Sequence, residues 1–276
     1  MNDRVQIEVR EGVAEVRLVR PDKMNALDPA MFKAISAAGE TVGADPSVRV
    51  VVLSGEGRAF CAGLDTSTIT ETADASQGEQ GTAVLDDDSR SLSERTYGIA
   101  NGGQQVVWVW RELPVPVIAA LHGVAFGGGF QIALGADIRI VHPETKLSVR
   151  ELRWGLVPDM GGTALMRRMA PADVVRELTY TARVFTGTEA KELGFATHVS
   201  ETPREDALEL AATIAARSPS AVRAAKRLLN GADSWSDEES LLQESLEQEK
   251  IMGRENQAEA VRSEFEGRPA VFKAHR

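Results

Sequence analysis

Leu121 to Asp137 reads LHGVAFGGGFQIALGAD: the end of an apolar strand, three consecutive glycines (Gly127, Gly128, Gly129) and the start of a helix. Glycines at a strand-to-helix turn remove every Cβ where backbone amides point outward, so an anionic oxygen can approach those amides. The same glycines would also allow a tight turn and a close helix-to-strand approach. The segment alone leaves both readings open.

Outward from that stretch, the 276-residue chain is 43% hydrophobic, enough for one large core with or without an appendage. A formal net charge of -10 argues against a nucleic-acid partner, since no basic stripe is available to follow a phosphate backbone. Cys61 is the single cysteine, which excludes an intramolecular disulfide, and the histidines at 122, 142, 198 and 275 lack metal-ligand spacing. No metal is expected. The N-terminal MNDRVQIEVREG has no apolar signal-like core, and no apolar run approaches the roughly 18 residues of a membrane span. A cytoplasmic chain with no membrane partner is the expectation.

Val5 to Val9 and Val13 to Val19 alternate apolar and polar residues around Glu11-Gly12, the pattern of a β-hairpin. Asp28-Pro29 predicts a capped helix start, with Met31, Ile35, Ala38 and Val42 at helical spacing and a stop near Gly43. Val48 to Ser54 is β-branched and nearly all apolar, as in a strand covered on both faces. Between Gly55 and Asp65 small residues flank Gly63, giving a second turn at which amides could be exposed. Thr66 to about Asn101 is polar and without period, which fits a lid, a mobile loop or a solvated insertion. A helix is predicted from near Ile99 through Val106, Val107, Trp110 and Leu113, then a strand over Val117 to Leu121.

Three runs occur in order: FCAGLD at Phe60 to Asp65, VIAALHGVAFGGGFQIALGADIRI at Val117 to Ile140, and GLVPDMGGT at Gly155 to Thr163, followed by AKELG at Ala190 to Gly194. Together they resemble the crotonase superfamily, the enoyl-CoA hydratases and isomerases, over most of the chain. The resemblance implies an α/β fold, a spiral of ββα units closed by C-terminal helices. Residues 1–203 would form the core with an acyl-CoA site, and residues 204–276 a helical region for a homotrimer or dimer of trimers.

It also implies roles. Two backbone amides, those of Leu64 and Gly128, would bind the thioester oxygen, each worth about 3 kcal/mol as negative charge gathers there. Where a hydratase of this fold has its first glutamate, this chain has Gln131, which cannot titrate but could position water or substrate. The second glutamate position is kept as Glu151, a candidate proton-transfer group. Asp159 occupies the place of an aspartate found in dienoyl-CoA isomerases, although those enzymes also have an aspartate where Gln131 stands. Asp159 could equally be a turn or N-cap residue. His122 reads as structural and Cys61 as packing rather than as a nucleophile.

For the CoA moiety, the resemblance points to the Ala62 backbone and to Lys23, Arg268 and Lys273 as phosphate partners. Coenzyme A enters as part of the substrate, with no separate cofactor. Double-bond isomerisation leads, hydration of a 2-enoyl-CoA is the alternative, and a non-catalytic acyl-CoA binder is a further one. Beyond Pro203 three apolar stripes recur at helical spacing: Leu208, Ala211, Ile214 and Ala215; Val222, Ala225, Leu228 and Leu229; and Leu241, Leu242, Ser245 and Leu246. These stripes require partners, either in neighbouring subunits or within this chain.

Overall fold

Parallel pairing of two almost wholly apolar strands organises the molecule, a computed structural model that describes residues 3–67 and 91–274. The hairpin β1 (Val5–Arg10) and β2 (Val13–Leu18) leads into β3 (Val50–Gly55), which pairs parallel to β2 and to β4 (Val117–Leu121). With β6 (Ile138–Val141) and β9 (His198–Val199) these make a six-stranded sheet in the order β1-β2-β3-β4-β6-β9. A smaller sheet contains β5 (Val124–Phe126), β7 (Lys146–Ser148) and β8 (Phe185–Thr186). Cys61 adds to it through an isolated parallel bridge to Ala125. The chain therefore winds: from β3 to Cys61, from β4 to β5 and from β6 to β7, each turn leaves the large sheet and adds to the small one.

Helix α1 (Pro29–Ala44) is capped by the Asp28 carboxylate, which accepts the Met31 amide at 2.7 Å, and packs along α2 (Gly102–Glu112). The second helix starts at Gly102 rather than near Ile99. Asn101 and Gln104 form a reciprocal capping box that sets the boundary. Most of the polar stretch read from Thr66 to Asn101 lies outside the described residues.

Alternate residues of the central strands face different layers. Val51, Leu53, Val117, Ala119 and Leu121 join the main core with α1, α2 and α3 (Gly128–Leu134). Val50, Val52, Ile118, Ala120 and Ile140 instead meet Ala207, Ala211 and Ala215 of a helix (Pro203–Ala215) laid across the opposite face. After β7 come a 3-10 turn (Glu151–Trp154), α4 (Gly162–Met166), α5 (Ala172–Thr181) and α6 (Gly187–Glu192). The Pro203–Ala215 helix is α7, followed by α8 (Pro219–Ala232), α9 (Asp237–Ile251) and α10 (Glu255–Glu266).

The apolar stripe on α8 turns only partly toward this chain, with Val222 and Leu228 half-buried. Arg223, Ala224 and Lys226 are buried, whereas Ala225 and Leu229 are exposed, as are Leu241 and Leu242 on α9. The reason is polar: the Lys226 ammonium donates to the carbonyls of Trp110 (3.1 Å) and Val115 (2.9 Å) and to Asp137 (2.8 Å), while Arg223 donates to Val48 O. Asp137 also accepts the Val117 amide at 2.7 Å, so one carboxylate joins the start of β4 to the C-terminal helices. Replacing Lys226 by Met leaves these buried acceptors without their cation. Chemical denaturation should show a loss of about 3 kcal/mol; a loss below about 1 kcal/mol would mean that α8 is held by other contacts.

Candidate active site

The small sheet sets the site by register. Cys61 pairs with Ala125 and Ala125 with Leu147, and Leu64, Gly128 and Glu151 follow these three residues by three, three and four positions. Three distant segments therefore end side by side.

The first segment is pinned from both sides. Cys61 donates its amide to Val124 O (3.0 Å) and accepts from Phe126 (3.1 Å), while Leu27 donates to Gly63 O (2.8 Å) and Asp65 to Leu27 O (3.0 Å). Behind it sits Asn25, fully buried at φ 55°, whose side-chain amide donates to the carbonyls of Glu56, Ala59 and Phe60. Its carbonyl oxygen accepts the Arg20 amide at 2.8 Å. Asparagine suits this place because it tolerates the left-handed backbone and brings two donors and an acceptor. Arg20 braces the far end through Asp65 at 2.6 Å. From the Arg20 to Leu27 stretch the sequence pointed to Lys23 and not to Asn25; the usable signal was a polar, turn-favouring Asn between apolar Met24 and Ala26.

Gly63, at φ 89°, turns the chain against the glycine triplet: a Cβ there would lie 2.5 Å from Phe126 O and 3.7 Å from the Gly128 amide nitrogen. Gly128 is the first residue of α3, where a helix has no preceding carbonyl for its amide. Among the described residues, neither the Leu64 nor the Gly128 amide donates to another backbone carbonyl outside the regular elements. The pair can hold an anionic oxygen, reinforced by the positive end of α3.

Glu151 approaches the same place from the third segment. A Cβ on Gly127 would stand 3.2 Å from Glu151 Oε1 and would require the carboxylate to shift by a few tenths of an ångström. Oε1 accepts from Gln131 Nε2 at 2.6 Å, and Oε2 is buried with no hydrogen-bond partner among the described residues. Gln131 is itself almost wholly buried and its Oε1 accepts the amides of Met160 (3.0 Å) and Gly162 (2.9 Å). Burial pushes the Glu151 carboxyl above its ordinary range, its own backbone amide and Gln131 pull it back, and the charge of Asp159 pushes it up again. A half-buried carboxylate raised in this way, with one free oxygen, is a better proton acceptor than an ordinary surface carboxylate.

Asp159 lies on the exposed rim beside this pair. Crowding by the surrounding chain raises its carboxyl, with its own backbone amide opposing, although its exposure keeps the effect modest. It is not the helix cap: Gly161 occupies that position in α4. Ala62 is half-buried and donates its amide to Met24 O at 2.9 Å, which brings its loop against the 3-10 turn (Pro21–Lys23) that ends in the exposed Lys23. Arg268 and Lys273 lie at the end of the chain, the first bonded to Glu259 (2.6 Å) and Glu266 (2.5 Å), the second to Glu255 (2.8 Å). His122 contacts Gly57 O at 2.9 Å. Cys61 is buried, donates to Asn25 O, and burial pushes its thiol up to about 12, so it is unreactive at neutral pH. Among the described residues no group of His, Cys, Asp and Glu is arranged to hold a metal, and none of their helices is long and apolar enough to cross a membrane.

The family model described as enoyl-CoA hydratase/isomerase matches residues 8–275. The chain is 32% identical to enoyl-CoA hydratase EchA19 of Mycobacterium tuberculosis over 84% of this chain and 82% of that one. It is 26% identical to the mitochondrial Delta(3,5)-Delta(2,4)-dienoyl-CoA isomerase of Dictyostelium discoideum, over 95% and 88%. The crystal structure of an enoyl-CoA hydratase from Bacillus anthracis superposes with a TM-score of 0.86 at 28% identity, covering 99% of this chain and 100% of that one.

The tightness of the Gly63 turn gives a direct test. In Gly63→Ala the new methyl meets backbone at 2.5 Å, whereas in Gly253→Ala, also at positive φ, nothing lies within 4 Å. Urea denaturation should show a loss of about 3 kcal/mol or more for the first against about 1 kcal/mol for the second. Equal losses would mean the two segments can separate freely.

Proposed function

The chain belongs to the enoyl-CoA hydratase/isomerase family and has the crotonase fold, and from that premise we propose that it shifts a double bond along an unsaturated acyl-CoA thioester. The thioester oxygen lies between the Leu64 and Gly128 amides. Glu151 takes a proton from the carbon chain through Oε2, the electron pair spreads into a dienolate whose charge rests on that oxygen, and the proton returns at the far end of the conjugated system. Leu64 serves through its backbone, so its side chain contributes packing only. Asp159 is a second carboxyl group at the rim; in its protonated form it gives its proton to the distal carbon, and the proton taken up by Glu151 then returns to Asp159 through solvent, so that both groups are reset.

The observation that carries this reading is the buried, unpartnered Oε2 of Glu151 beside a Gln131 that cannot titrate. Two-glutamate water activation lacks its first base here. Hydration of a 2-enoyl-CoA is the second reading, favoured by the higher identity to the hydratase relative. For the CoA phosphates we favour Lys23, since Arg268 and Lys273 are held by carboxylates. The exposed Leu229, Leu241, Leu242, Met252 and Phe265 fit a homotrimer or dimer of trimers that would cover them.

Ultraviolet spectra of a 3,5-dienoyl-CoA and a 2-enoyl-CoA mixed with the protein test the assignment. Diene absorbance should change with the first substrate, and Glu151→Gln should slow it by at least about 100-fold. The base must be ionised, and its pKa is raised, so kcat/KM should fall as pH drops through a value above the ordinary carboxylate range. Decay of the 2-enoyl absorbance alone would replace isomerisation by hydration, and binding without turnover of either would leave an acyl-CoA binder.

A further inference from the structure

We infer that Gln131 is a positioning residue that selects which oxygen of Glu151 moves the proton, by holding Oε1 in a fixed hydrogen bond and leaving Oε2 for the substrate. The inference rests on the proposed role of Glu151 as the base and goes further, since it assigns the division of labour between the two oxygens.

The orientation of the Gln131 amide is determined by its neighbours rather than chosen. Met160 and Gly162 both present backbone N–H groups to one end of it, at 3.0 and 2.9 Å, and a pair of donors can be met only by the carbonyl oxygen. The NH2 group must then face Glu151, where it donates at 2.6 Å. Its backbone is equally fixed: the Gln131 amide donates to Gly127 O at 2.9 Å, so the residue belongs to the same turn that supplies the Gly128 amide. One side chain thus ties the glycine turn, the segment from Met160 to Gly162 and the base into a single unit.

The charged groups around Glu151 make this contact matter. On its own segment are Arg150, whose guanidinium lies over the Phe126 ring at 4.3 Å, and Arg153; Asp159 is on the neighbouring turn. Helix α5, packed against the 3-10 turn, carries Asp173, Arg176 and Glu177, and α3 carries no titratable side chain. No ion pair to Glu151 is present among the described residues, so the neutral amide is the side-chain donor that favours its ionised form. A donor that does not titrate keeps that effect constant with pH.

Gln131→Glu is the deciding variant. It keeps an oxygen for the Met160 and Gly162 amides but replaces the NH2 group by a second oxygen facing Glu151 Oε1. Two carboxylates in that contact retain one proton between them. The acid limb of kcat/KM should move to higher pH by at least about one unit, with kcat at neutral pH down about tenfold and KM changed by less than threefold. An infrared titration should show a protonated-carboxyl band, identified by its loss in Glu151→Gln, persisting to correspondingly higher pH. Gln131→Met, which removes donor and acceptor together, should also shift the profile upward if it folds; if it does not, Gln131→Glu still decides. A Gln131→Glu protein whose pH profile and infrared titration superpose on wild type would overturn the inference. Because the infrared titration needs no turnover, a chain that isomerises nothing would refute the proposed reaction while leaving this contact separately tested.

Discussion

Backbone pairing between Cys61 and Ala125 and between Ala125 and Leu147 is the constraint on which the chemistry depends. These few rungs bring together three segments whose first and last members, Cys61 and Leu147, are 86 residues apart in sequence, and the site groups follow each rung at nearly the same offset. The site is therefore a property of sheet register, in which a slip by one residue would turn side chains to the wrong face. Asn25 and Arg20 defend that register at its first rung, where the chain is otherwise irregular.

A second theme is the handling of charge without cations. Glu151 is raised by burial, lowered by an amide and raised again by Asp159, a balance that leaves its carboxyl above the ordinary range. The Leu64 and Gly128 amides are likewise neutral N–H dipoles, the second at the start of α3. Elsewhere the fold does use full charges where strength rather than tuning is required. Lys226 and Asp137 fasten the C-terminal helices to β4, and Arg227 and Lys250 clamp the buried Glu247 between α8 and α9.

Much of this was legible in the sequence because it rests on local rules. The hairpin at Glu11-Gly12, the Asp28-Pro29 helix start and the apolar runs of β3 and β4 announce themselves by period and capping chemistry. The motifs brought Leu64, Gly128, Gln131, Glu151 and Asp159 into view, but not what Gln131 touches, since its partners Met160 and Gly162 lie about thirty residues away. Asn25 was missed because its value comes from three carbonyls on another segment. Which face of α8 turns inward was not legible for the same reason: periodicity locates an apolar face, but the inward face is chosen by Lys226 and Arg223, whose acceptors are distant backbone carbonyls.

The placement of α7 has a consequence for how the protein is made. The face of the large sheet formed by Val50, Val52, Ile118, Ala120 and Ile140 is covered by Ala207, Ala211 and Ala215, which come late in the chain. A nascent polypeptide leaving the ribosome therefore completes that apolar surface with Ile140, before Ala207 to Ala215, its cover, have been made. Vectorial production creates a window of adhesiveness that the finished molecule never shows.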